Sequence, residues 1–225
     1  MITTQQVLDY FNWKNLPERY SVLDKRFKVK QGDTIIDCGA QYGDISLYMA
    51  SKVGDFGKVY AVEASASIFP YLQNNSKIFE INNIYPILRA ISNCNKIGRL
   101  YGSPSPSGFS ILENTPNQIK EQFERIRCST LDTIVEEYKI DRIDGIYMNI
   151  EGAEYLAIDG MAKLIKKFKP FLYIHDHIHD ITEEFYYKNN IKNKLERLGY
   201  AIIYDEIGDT KPDEFKKGNN LLIAE

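Results

Sequence analysis

The sequence predicts a doubly wound α/β fold: a mostly parallel, seven-stranded sheet with helices on both faces and an antiparallel hairpin at its carboxyl end. Three observations carry this. From about Gln31 onward, short apolar runs alternate with amphipathic helical stretches. A glycine turn, Gly39-Ala40-Gln41-Tyr42-Gly43, joins the first such run to the first such helix. The last two runs are joined by a polar loop with no helix between them, which is how an antiparallel pair closes a sheet.

The elements follow in order. Residues 1–30 read as a helical cap, with Thr3 or Thr4 as N-cap, apolar Val7, Leu8, Phe11 and Trp13, and Leu16-Pro17 breaking the pattern. Residues 31–225 then form one domain. Thr34 to Cys38 is a β-branched run suited to a strand buried on both faces, followed by a helix over Asp44 to Val53. Lys58 to Ala64 makes the second strand, Ile68 to Phe79 the second helix, and Ile84 to Ala90 a third strand whose Pro86 suits a sheet edge. Arg99 to Leu112, rich in Gly, Pro and Ser, reads as a loop of the kind found over sites, with a β-excursion as the alternative. A helix to about Tyr138, a strand over Asp144 to Ile150, and a helix from Glu154 through Ile165 come next. Pro170 to His175 is the fifth strand, Thr182 to Leu198 a long helix, and Tyr200 to Tyr204 with Leu221 to Ala224 the closing pair.

Composition narrows the function. With 44% hydrophobic residues among 225 and a net charge of -3, the chain can build a core but has no overall positive field for a polyphosphate backbone, so nucleic acid is not expected as its partner. No stretch is long and apolar enough to span a membrane, the amino terminus lacks a secretion signal, and three widely spaced cysteines suit neither disulfides nor zinc. A cytoplasmic protein with reduced thiols is the expectation, and self-association is compatible with it.

In a doubly wound sheet the ligand lies beyond the carboxyl ends of the strands, beside the first strand. Asp37, Gly39 and Gly43 fall there. Gly39 lets backbone approach a ligand, Gly43 opens the helix, and Asp37 offers a carboxylate to a cationic group. A dinucleotide turn would carry a glycine at the place of Gln41, so a ligand without a pyrophosphate fits better. Glu63, closing the second strand, stands where an acid accepts hydrogen bonds from both hydroxyls of an adenosine ribose.

Three stretches, Asp37 to Gly43 with Glu63, Ser129-Thr130-Leu131-Asp132, and Asn149-Ile150-Glu151-Gly152-Ala153-Glu154, resemble the signatures of FkbM-type S-adenosylmethionine-dependent methyltransferases. The resemblance runs from about Gln31 to the carboxyl terminus and implies the Rossmann-like class I methyltransferase fold. It implies further that Asp37, Gly39, Ala40 and Gly43 line the methionine end of S-adenosylmethionine, with Gln41 and Tyr42 in the same turn. Glu63 would take its ribose, and Ala90 and Ile91 would lie near the adenine. The acceptor it implies is a sugar, glycan precursor or small natural product, methylated at oxygen. The chain departs from the family at Met148-Asn149, where a lysine and an aspartate are usual, so a cofactor-binding scaffold without transfer chemistry is the alternative.

Methyl transfer to a hydroxyl needs alignment and removal of a proton. Glu151 and Glu154 after the fourth strand, and His175, Asp176, His177 and His179 at the fifth, are the candidate groups. His177 or His175 is the preferred base because a free imidazole titrates near neutral pH, and Glu151 and Asn149 complete the expected catalytic set. Asn149, Glu151 and Asp176 could also offer oxygens to a divalent cation, so a metal is left open.

Overall fold

In the computed structural model, residues 3–12, 14–102, 108–113, 119–178, 190–205 and 218–225 are described. Helix α1 (Thr4–Phe11) starts on a capping box: Thr3 accepts from the Gln6 backbone N–H, and Gln6 accepts from that of Thr3. Pro17, expected to break the lead-in, lies instead in the first turn of a second helix, α2 (Leu16–Arg26), where its missing N–H costs nothing. The doubly wound core follows as β1 (Thr34–Cys38), α3 (Asp44–Val53), β2 (Lys58–Glu63), α4 (Phe69–Ile78) and β3 (Ile84–Leu88). Next come β4 (Ala90–Ile91), β5 (Lys96–Gly102), β6 (Ile119–Ser129), α5 (Leu131–Glu137), β7 (Gly145–Met148), α6 (Glu154–Asp159) and α7 (Ala162–Phe168). The chain closes with β8 (Phe171–Ile178), α8 (Ile191–Arg197), β9 (Ile202–Asp205) and β10 (Gly218–Ala224).

Seven strands form the main sheet in the order β3-β2-β1-β7-β8-β10-β9, parallel except that β10 runs against both β8 and β9. This is the expected mostly parallel sheet with its closing antiparallel pair, and Pro86 lies on the outer strand β3, where no ladder bond is lost on the free side. Side-chain alternation divides the core. Ile36 and Cys38 of β1, Ile146 and Met148 of β7, and Leu172 and Ile174 of β8 pack beneath α5 to α8. Ile35, Tyr147 and Tyr173 point the other way, beneath α1 to α4.

β8 outruns its neighbour: its last residue paired with β7 is Ile174, opposite Met148, yet it stays paired with β10 as far as Ile178. The sequence reading ended this strand at His175.

Three further expectations are corrected. Ile84 to Ala90 is not one strand, because the chain leaves the main sheet at Arg89 and Ala90–Ile91 pair with Cys128–Ser129. For Arg99 to Leu112 the loop reading gives way to the β-excursion at its start: Lys96–Gly102 forms a hairpin with β6, giving a second sheet ordered β4-β6-β5. Its glycines suggested a loop, but a Cβ on Gly98 would sit 2.6 Å from the Cys128 sulfur, so glycine is what lets the two strands close. The helix after Glu154 breaks at Gly160, where a Cβ would come within 2.4 Å of the Ser92 carbonyl oxygen. The beginning of the helix expected over Thr182 to Leu198 lies outside the described residues, whose part of it is α8. No helix among the described residues is long and apolar enough to cross a membrane. Cys38, Cys94 and Cys128 are all free thiols, Cys94 exposed and the others buried.

The N-terminal helices enter the main core through Phe27, the C-cap of α2, whose ring packs 5.8 Å from Phe171 and 5.7 Å from Tyr173, centroid to centroid. Gly145 leaves it room: a Cβ there would meet the Phe27 ring at 2.8 Å. Phe27→Ala is expected to cost about 3–5 kcal/mol, the usual range for a buried aromatic. Chemical denaturation measures it, and a loss under about 1 kcal/mol would mean that the helices are dispensable to the core.

Candidate active site

An open cleft of about 660 Å³, solvent at its mouth included, lies across the carboxyl ends of β1, β2 and β7. Its base is a backbone contact. Gly39 has φ +88°, and a Cβ on it would lie 2.0 Å from the carbonyl oxygen of Asn149, so no side chain fits. The Gly39 and Ala40 N–H groups donate to the Val62 carbonyl at 2.9 and 3.0 Å, and Gly43 N–H closes the turn on Ala40 O at 2.8 Å. Gln41 also takes a positive φ, +50°. Gly43 opens α3, and a Cβ on it would press on Leu72 at 2.7 Å.

Glu63 holds this turn. One of its oxygens accepts the Gln41 backbone N–H at 2.8 Å and the other that of Ser65 at 2.7 Å. Burial raises its carboxyl above the usual range, and the backbone donors oppose that. Each oxygen keeps acceptor capacity toward the cleft it lines.

Of the cofactor residues expected from sequence, Gly39, Gln41, Glu63, Ala90 and Ile91 line the cleft. Asp37, Ala40, Tyr42 and Gly43 are not among its lining residues. Asp37 has the same parity on β1 as Ile35, so its side chain lies fully buried beneath α3, where it accepts from Ser46 Oγ at 2.5 Å. Burial raises it to about 7, the Ser46 bond opposing. Its Oδ1 has no partner among the described residues. Ala40 packs into the core beneath α1 to α4. The Tyr42 ring meets Tyr71 edge-on at 5.7 Å, and its carbonyl accepts from Asn75 Nδ2 at 2.8 Å.

The expected catalytic set divides. Asn149 and Glu151 line the cleft. The Asn149 N–H is spent on the Cys38 carbonyl at 2.9 Å, but its side-chain Oδ1 is buried without a partner among the described residues. Glu151 has φ +54°, and His177 Nε2 stands 3.8 Å from its carboxylate. His177 is buried, with Nδ1 at 2.8 Å from Glu154 Oε1. Burial works against its imidazolium, but Glu154 and then Glu151 outweigh it and push the ring up to about 9.

His175 goes elsewhere. Its Nε2 meets the Tyr147 hydroxyl at 3.1 Å, and it lines a separate depression with Arg19 and Tyr173. Burial, with the charges of His177 and Arg19, lowers it to about 4, so it stays neutral. His179 lies outside the described residues.

Sequence reasoning missed part of the wall. Arg89 lines the cleft beside Ala90, ion-paired to Glu137 at 3.3 Å and donating from Nη1 to the Leu88 carbonyl, and its buried Nε has no partner among the described residues. Its place right after the third strand could have flagged it. Leu100, Phe109, Ser110 and Ile111 also line it, the three apolar side chains packed in one cluster with Ala90, and Ser110 Oγ donates to the Glu151 carbonyl at 2.7 Å. Ser110 stood in the stretch read as lying over a site, but nothing set it apart from the other serines there. No group of three or more His, Cys, Asp or Glu side chains that could hold a metal ion occurs among the described residues.

Comparison with known proteins places this geometry. A SAM-dependent methyltransferase from Aquifex aeolicus matches with TM-score 0.53 at 18% identity, over 100% of this chain and 98% of that one. Methyltransferase FkbM from Methylobacillus flagellatus KT matches with TM-score 0.52 at 17% identity over 86% of this chain, which spans 43% of that one. Fibrillarin from Aeropyrum pernix, in complex with natively bound S-adenosyl-L-methionine, matches with TM-score 0.52 at 16% identity, over 88% of this chain and 68% of that one. At such identities the likeness is one of fold. No match was found among curated proteins. The model of the methyltransferase FkbM domain matches residues 37–202, from the end of β1 into β9, and the chain belongs to that methyltransferase family.

Proposed function

We propose that this chain binds S-adenosylmethionine in the cleft over Gly39 and transfers its methyl group to a hydroxyl oxygen of a sugar, glycan precursor or small natural product. One observation carries the reading: the same cleft holds the Glu63 grip on the glycine turn along one wall and Glu151, backed by His177, along the other. The cleft suits the cofactor. Gly39 leaves the floor free of side chains, Glu63 has acceptors to spare for ribose hydroxyls, and the partnerless Asn149 Oδ1 suits an ammonium donor. Arg89, beside Ala90 and Ile91, offers a planar cation and a buried Nε donor to an adenine ring. The free cysteines accord with a cytoplasmic setting.

When bound, S-adenosylmethionine supplies a methyl group on a cationic sulfur, which an acceptor oxygen can displace in line. Glu151 accepts the acceptor's hydroxyl proton. Burial raises its carboxyl above the usual carboxylate range and His177 draws it back, so it is more basic than an exposed acid. His177 holds a positive charge beside it as the proton arrives. Phe109 and Ile111 keep water from that side of the cleft. The scaffold alternative rests on Met148-Asn149 and leaves the Glu151–His177 pair without a use.

Two outcomes test the reading. Glu63→Gln gives up a charged acceptor and is expected to weaken S-adenosylmethionine binding about 10- to 100-fold by calorimetry, following the worth of charge-assisted hydrogen bonds. An unchanged affinity sinks the cofactor assignment. Glu151→Gln and His177→Ala are each expected to lower turnover about 10²- to 10⁴-fold, the range for removing a general base, with cofactor affinity kept. Release of S-adenosylhomocysteine with a panel of sugars measures this, and full turnover in both variants rejects the roles.

A further inference from the structure

We propose that Glu154 is a positioning residue: it fixes His177 as the tautomer protonated on Nδ1 and so turns Nε2 toward Glu151 at the cleft wall. The inference rests on the reading of Glu151 and His177 as the groups that handle the acceptor's proton. It is carried by the partners of one nitrogen.

His177 Nδ1 lies 2.8 Å from Glu154 Oε1 and 3.1 Å from the carbonyl oxygen of His175. Carboxylate and carbonyl oxygens only accept, so the hydrogen of both contacts belongs to Nδ1. The proton that comes and goes is then on Nε2, which faces Glu151 Oε1 at 3.8 Å. The three side chains form a line from the cleft wall into the core: Glu151, His177, Glu154.

Glu154 is costly where it stands. Its side chain is 1% exposed, and its Oε2 has no partner among the described residues. A carboxylate this buried loses its hydration and needs a compensating charge. Its other contact, Oε1 accepting the Ile150 N–H at 2.9 Å, closes the turn into α6, a task that a neutral amide oxygen performs equally well. The imidazole alone calls for a charge there. Among the described residues, four titratable groups act on that ring: Glu154 from the start of α6, Glu151 from the turn before it, and Asp176 and His175 from β8. The residue of β10 that pairs with His177 in the ladder is Asn219. Glu154 is the nearest of the four and acts most strongly to hold the ring's positive charge.

The chain has three histidines, so nitrogen NMR of the ¹⁵N-histidine-labelled full-length protein resolves each ring. The expected spectrum has the His177 hydrogen on Nδ1 once the ring is neutral, with a titration midpoint of about 9. In Glu154→Gln the amide oxygen still accepts from Nδ1, so the tautomer is kept while the midpoint falls by more than about one unit for want of the negative charge. In Glu154→Ala only the 3.1 Å contact with the His175 carbonyl still favours Nδ1, so the tautomer protonated on Nε2 gains population. A neutral His177 carrying its hydrogen on Nε2 in the unsubstituted protein overturns the proposal without any variant, and so does a midpoint unmoved in a folded Glu154→Gln protein. Turnover does not enter. A correct tautomer in a protein without methyl transfer counts against the proposed reaction alone, and a wrong tautomer in an active enzyme counts against Glu154 alone.

Discussion

The carboxylate of Glu63, closing on the backbone N–H groups of Gln41 and Ser65, is the interaction on which the cleft depends. The turn it holds runs through two left-handed residues before its last glycine, and one of them, Gln41, pays a steric penalty that glycine would escape. A buried anion receiving two backbone donors offsets that penalty, because charge-assisted hydrogen bonds are the strong ones. The same turn brings Gly39 against the Asn149 carbonyl, so the exits of β1 and β7 become a single floor.

Parity along the strands decides what the cleft can use. Asp37 and Cys38 are neighbours in sequence, yet one lies beneath α3 and the other in the opposite core, and neither faces the ligand space directly. What reaches the cleft comes from the exits of the strands, where alternation lapses: Gly39, Glu63, Asn149 and Glu151. Asp37 therefore acts, if at all, through the α3 face of the turn and its neighbours Ser46, Asp44 and Arg19.

Much of this was legible in the residues. The alternation of β-branched runs with helical patterns, the edge proline, and the acids at successive strand exits all reflect backbone geometry that local sequence must satisfy, so the mostly parallel sheet, its outer strand and the cleft floor could be anticipated. What was not legible depends on contacts between distant segments. Gly98 and Gly160 carry no mark in the sequence, the second lying inside a stretch that reads as helix, but each is small because another segment, Cys128 in one case and Ser92 in the other, comes within touching distance of it. The two histidines looked equivalent as a cluster at a strand end. They part because Tyr147 meets His175 and Glu154 meets His177, partners 28 and 23 residues away that no local pattern announces. Arg89 escaped notice because an arginine beside a strand reads as surface, whereas here it is clamped by Glu137.

The overhang of β8 beyond β7 has a bearing on precision. His177 stands on that overhang, where β10 continues the ladder opposite it at Asn219. A side chain borne on a free loop samples many orientations and must be gathered in each catalytic cycle, whereas one borne on a paired strand inherits the stiffness of the sheet. Extending a single strand past its neighbour thus lends the cleft a rigid outrigger, and substrate choice can drift through the surrounding loops while the imidazole keeps its bearing.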